Sequence, residues 1–185
     1  MKPTAIFLVF IIPSSYALSL PSLFARAGLE PRQTTTLYVA TTGSDSNAGT
    51  ITAPVKSIQK AVDLATAGTT IYIRGGTYSP TTNIKIAKSG TSSSRYTIRN
   101  YGTEKVIIDG EALTGTPAAL NAALDNADRG VFHIQPANYW SFIGLEIING
   151  PYGVYSRDSS NNIYQDLITR DNYESGLYTL FFLHS

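Results

Sequence analysis

The 185-residue chain carries 14 Lys+Arg against 13 Asp+Glu, a formal net charge of +1, so it has no charge excess with which to bind nucleic acid or an anionic membrane surface. Hydrophobic residues make up 43% and charged residues only 15%, which excludes a disordered tail and leaves room for one domain. With 15 Gly, 12 Tyr and no Cys, the composition suits short strands and turns, and it excludes disulfide scaffolds, thiol nucleophiles and cysteine-held metals.

The chain opens like an export signal. Lys2 provides a positive start, Ala5 to Ile12 form an apolar run that Pro13 breaks, and Ser15-Tyr16-Ala17 places small residues where a signal peptidase cuts. That run is much shorter than the ~20 residues of a spanning helix. Residues 1–17 are therefore expected to be a signal peptide and the protein to be secreted and extracellular. Residues 18–35 are a pro-segment or flexible lead-in, and residues 36–185 form the domain.

Leu37-Tyr38-Val39-Ala40 predicts a first strand, followed by the turn cluster from Gly43 to Gly49. Ile58, Ala61, Val62 and Ala65 share one helical face, with Ser57 as N-cap and Gly68 near the end, so a helix is predicted over 57–67. One helix ahead of many strands reads as a plug. Short strands follow at 70–74, 83–86, 96–99 and 106–108, each closed by Gly, Asn or Asp. The Ala- and Leu-rich segment 117–128 interrupts them and is read as an inserted loop with about two helical turns.

Two later stretches repeat. Leu145-Glu146-Ile147, Asn149-Gly150 and Gly153-Val154-Tyr155 are echoed by Leu167-Ile168-Thr169, Asp171-Asn172 and Gly176-Leu177-Tyr178. Offsets of 22 and 23 residues between them describe one rung of a parallel β-helix. A two-sheet sandwich also has short, closely spaced strands, but it explains neither the paired offsets nor the single leading helix.

The segment from Tyr38-Val39 through Gly43-Ser44-Asp45-Ser46-Asn47-Ala48-Gly49 to Ala53-Pro54-Val55-Lys56-Ser57-Ile58 resembles the entry of secreted right-handed β-helix proteins. Thr70-Ile71-Tyr72-Ile73-Arg74-Gly75-Gly76-Thr77-Tyr78 strengthens the likeness. Together with Tyr96-Thr97-Ile98-Arg99-Asn100-Tyr101 and Tyr139-Trp140-Ser141-Phe142-Ile143-Gly144, these residues resemble the pectate lyases of the ninth polysaccharide-lyase family, from Tyr38 to about Leu177. The resemblance implies an all-β, right-handed parallel β-helix (a pectin lyase-like solenoid) with an N-terminal capping helix. It also implies calcium-dependent β-elimination of polygalacturonate, an acidic plant cell-wall polysaccharide, with a lysine as base.

In that family the aspartate cluster includes an Asp-Asp-Gly-x-Asp run beyond the turn matched by Ser175-Gly176-Leu177. This sequence has no such run and continues as Leu180-Phe181-Phe182-Leu183-His184-Ser185. It is therefore expected to be the N-terminal portion of such a lyase, truncated before the catalytic rungs, inactive alone and prone to self-association through its last rung. No catalytic, substrate-binding or calcium residue is carried over. The alternatives are a non-catalytic, adhesin-like β-helix that binds wall polysaccharide, or a lyase for another uronan.

Other residues were weighed against plainer roles. Asp45 and Asn47 start like a calcium loop but suit a glycine-bounded turn. Asp158, Asp166 and Asp171 fall on neighbouring turns, where capping is the simpler role. His133 is read as a sheet-face residue, and His184 lies in the tail; neither has a nucleophile motif beside it. Tyr139 and Trp140 could stack on a sugar ring or pack in a core. Arg74, Arg99 and Arg157 follow strands and could face an acidic polymer or simply solvent.

Overall fold

The computed structural model describes residues 35–113 and 130–180. The expected leader (1–17), nearly all of the lead-in, the 117–128 segment and His184 lie outside the described residues.

The strands are β1 (Thr36–Val39), β2 (Thr70–Ile73), β3 (Gly76–Tyr78), β4 (Ile84–Ile86), β5 (Tyr96–Asn100), β6 (Val106–Asp109), β7 (Gly130–Ile134), β8 (Trp140–Ile143), β9 (Glu146–Ile148), β10 (Tyr152–Arg157), β11 (Ile163–Gln165), β12 (Ile168–Arg170) and β13 (Ser175–Leu180). They make three sheets, ordered β1-β2-β5-β8-β11, β3-β6-β9-β12 and β4-β7-β10-β13. We call these sheets A, B and C. From β2 onward the chain visits A, B and C in turn, and every strand pairing between successive coils is parallel. That is a parallel β-helix. The expected 22- and 23-residue repeat is its coil length, since Ile168 pairs with Glu146 and Leu177 with Val154.

Alternation along each strand sends one row of side chains into the coil. In sheet A that row runs Leu37, Ile71, Ile98, Phe142 and Tyr164 from coil to coil. Phe142 and Tyr164 stack with centroids 5.4 Å apart. Trp140 is fully buried, lies parallel to Tyr96 at 4.3 Å, and donates its indole N–H to the Lys88 carbonyl at 2.6 Å. It is a core residue, as the packing reading of that position anticipated.

Helix α1 (Ile58–Leu64) is shorter than the predicted 57–67. Ser57 is its N-cap, accepting from Lys60 N at 3.1 Å, and the predicted face of Ile58, Ala61, Val62 and Ala65 is buried. The helix stops at Ala65, before Gly68, because Lys88 takes its terminal carbonyls: Nζ donates to Val62, Asp63 and Ala65 at 2.7, 2.8 and 3.1 Å. Three strands lie outside the predicted set or inside its gaps: β3, β8 and β11. Each is short and joined to its neighbour by a tight corner, so local punctuation did not separate it.

The corners explain the aspartates. Asp158, Asp166 and Asp171 all have positive φ, as do Tyr139, Asn149, Asn161 and Gly144. By strand register, Gly144 lies over Asp166, and Asn149 over Asp171, one coil apart. Asn, Asp and Gly tolerate this left-handed conformation at lowest cost. At Gly144 (φ 67) a Cβ would also collide with the Asn100 side chain.

Candidate functional site

Each sheet turns its second row of side chains outward, and the three outer faces differ in chemistry. On sheet A, Thr36, Thr70 and Thr97 form a hydroxyl row across the first three coils. Beside it stand Tyr38, Tyr72 and Arg99 in register, with Arg74 and Tyr101 one step further along their strands. The three tyrosines touch one another with centroids 5.7 to 5.9 Å apart. The Arg74 guanidinium sits 5.0 Å from the Tyr101 ring centre, and that of Arg99 sits 6.0 Å from Tyr72. Glu104 takes Arg74 Nε on both carboxylate oxygens at 3.0 Å and accepts from Gly75 N. Those hydrogen bonds, Arg74's foremost, hold its carboxyl below the usual range.

Sheet B presents a charge knot. Glu146, nearly buried, accepts from Lys105 Nζ at 2.9 Å and from Arg170 Nη2 at 2.6 Å, and these two donors depress its pKa. Sheet C carries Lys85, His133, Tyr155 and Tyr178 in one row. His133 stacks on Tyr155 at 5.2 Å, Tyr155 on Tyr178 at 5.4 Å, and Tyr152 contacts both tyrosines. A cleft of about 660 Å³ lies near the start of α1, lined by Thr41, Asp45, Ser57, Thr77 and Thr81 among others. On its wall, burial first and the Glu104 charge second push the Tyr78 hydroxyl up to about 12.

The sequence candidates sort cleanly on this frame. Asp45 accepts from Lys56 N at 2.9 Å and Ser57 N at 2.8 Å, while Asn47 Nδ2 donates to the Pro54 carbonyl at 2.9 Å. Burial works against the Asp45 charge, but the Ser57 and Lys56 hydrogen bonds outweigh it and leave its pKa lowered. Both residues brace a turn. Asp158, Asp166 and Asp171 follow β10, β11 and β12, so they occupy three different corners of one coil. Each has a local partner: Arg157 at 3.5 Å, Gln165 at 3.2 Å and the Arg170 guanidinium respectively. They do not gather, and no group of three His, Asp or Glu converges among the described residues. The carboxylates described here therefore do not fit the calcium set that the resemblance implies.

Of the three arginines, Arg74 and Arg99 meet on sheet A, whereas Arg157 ends β10 on sheet C. Tyr139 lies under the Arg95 guanidinium at 5.5 Å. Sequence reasoning missed the tyrosines that join Arg74 and Arg99. Their period-2 placement was legible, but their alignment needs coil lengths, and the first coils are unequal: Thr36 pairs with Thr70, yet Thr70 pairs with Thr97.

Comparison with known proteins adds the following. Residues 37–181 match the family model described as Pel9A-like, right-handed β-helix region. The chain is 66% identical over 140 residues to Pectate lyase PEL9 of Emericella nidulans, covering 76% of this chain and 34% of that protein. It is 34% identical over 144 residues to Pectate lyase L of Paenibacillus polymyxa, covering 76% of this chain and 29% of that one. The crystal structure of pectate lyase Pel9A superposes with a TM-score of 0.60 at 23% identity, over 75% of this chain and 34% of that chain. The chain thus spans about a third of the length of these curated relatives.

Proposed function

From membership of the Pel9A-like right-handed β-helix family, to which this chain belongs, we infer that it supplies coils of a secreted pectate lyase. The whole protein would cleave de-esterified galacturonan by β-elimination, with calcium as cofactor. The observation that carries this reading is the 66% identity with Pectate lyase PEL9 over 140 residues. In such a reaction a base removes the proton α to the uronate carboxylate, the C–O bond to the leaving sugar breaks, and a double bond remains in the product. Calcium, where the whole protein holds it, would stabilise the charge that builds on that carboxylate. In this reading the ligands and base belong to other parts of the whole protein, and this chain alone is expected to form no product.

What the described coils do is present rigid outer faces beside that chemistry, on a scaffold whose core leaves little freedom. Exposed Leu177 on the last described coil, in register with the core residue Val154, suits burial under further coils in the whole protein. In the isolated chain the same surface supports self-association.

The test is ultraviolet absorbance of the unsaturated product from polygalacturonate. The whole protein should form it in a chelator-sensitive way, and the chain alone should not. Product from the chain alone would place a site among its own residues. No product from the whole protein would favour the non-catalytic binding reading.

A further inference from the structure

We propose that the outer face of sheet A across the first three coils is a separate binding platform for an acidic polysaccharide, formed by Tyr38, Tyr72, Tyr101, Arg74 and Arg99. Three observations meet there. The tyrosines are part-buried and touch one another in one continuous aromatic patch, so they are held in place before any ligand arrives. Fixed aromatic rings with a polar rim suit the C–H faces of pyranose rings. Next to them the hydroxyl row of Thr36, Thr70 and Thr97 offers donors and acceptors at the strand spacing, about 4.8 Å.

The charge is what selects an acidic ligand. Arg74 is neutralised by Glu104. Arg99 is part-buried and leans on Tyr72, and its Nε is buried with no hydrogen-bond partner among the described residues. A carboxylate approaching along the tyrosine patch meets the charge of that guanidinium.

The choice of a uronan among acidic glycans rests on the function proposed above; the platform itself rests on the face. It is distinct from sheet C, whose row of Lys85, His133 and Tyr155 lies on another side of the coil.

Affinity electrophoresis of the full chain through gels holding polygalacturonate, or its fully methyl-esterified form, tests this. Polygalacturonate should retard the chain, and the ester should retard it much less. Arg99→Gln should weaken binding about tenfold, the loss of one charge-assisted pair. If Arg99→Gln does not give a native circular-dichroism spectrum, Tyr101→Ser serves in its place. No retardation, equal retardation by the ester, or full binding by Arg99→Gln and Tyr101→Ser would each overturn the proposal. Absence of binding while the whole protein still cleaves pectate removes the platform alone. Binding that Arg99→Gln abolishes, with no cleavage by the whole protein, keeps the platform and overturns the lyase reading.

Discussion

The two ends of the described coils use the same residue types to opposite effect. At one end α1 lays Ile58, Ala61, Val62 and Ala65 over the first coil, and Lys88 ties off the helix carbonyls. At the other end, residues in register with core positions are open. Val154 in β10 is 0% exposed, whereas Leu177, its partner one coil on, is 44% exposed. Burial in a solenoid is thus a property of having a neighbour on each side, not of the side chain or its strand.

The cap is where this contrast breaks most visibly. Ile58→Asp places an unpaired carboxylate between α1 and the first coil and should cost ~3–5 kcal/mol. A urea melt of the variant matching the parent would mean the helix is not a cap. One step smaller is the pair that defines the comparison. Val154→Ala should cost about 2 kcal/mol, and Leu177→Ala less than ~1 kcal/mol, because only the first leaves a cavity between two coils. Equal losses would show that Leu177 is as well covered as Val154.

How much of this was readable beforehand follows the same division. The capping face, Ser57 as N-cap, and the 22-residue repeat were legible because each is a local pattern: a 3.6-residue period, an oxygen at the helix start, a recurring strand and turn. The family followed from motifs between Tyr38 and Leu177, and the family model matches 37–181. Illegible were features that depend on which residues stack. Helix α1 stops early because of Lys88, distant in sequence. The sheet A platform needs the register of three unequal coils. Asp166 and Asp171, by contrast, were legible as turn residues, and both take a left-handed corner conformation.

Corner chemistry supplies the next prediction. Asn172 reaches back one coil, accepting from Gly150 N at 3.0 Å and donating to the Ile147 carbonyl at 3.4 Å. Asn162 does the same at another corner, for Trp140 N at 2.9 Å and the Ala137 carbonyl at 3.0 Å. Each ties two coils without a strand. Asn172→Ala and Asn162→Ala should each cost about 1 kcal/mol, since each leaves the amide of a buried residue, Gly150 or Trp140, without its partner. Thermal melts unchanged by either substitution would mean that water replaces these bridges at both corners.

The smallest effect expected compares two carboxylates. Glu104 joins Arg74 and Gly75, both from the coil before it, whereas Glu146 joins Lys105 from one coil and Arg170 from the coil on its other side. Both have pKa values lowered from 4.5, Glu104 chiefly by the Arg74 hydrogen bond and Glu146 chiefly by that of Lys105. A depressed folded-state pKa stabilises the fold above the unfolded value, and the contribution fades as pH falls through 4.5 toward the lower folded value. Replacing either carboxylate by its amide removes that contribution, so each variant should melt below the parent near neutral pH. The gap should close once the pH is well under 4.5, where the parent's carboxylate is protonated too. Salt should shrink both gaps, because Lys105 and Arg74 are largely solvated. Glu146→Gln should show the larger gap, because Glu146 is nearly buried and clamps three coils, while Glu104 is a third exposed and clamps two. A pH-independent difference would mean that the carboxylate's shape, rather than its charge, holds the coils together.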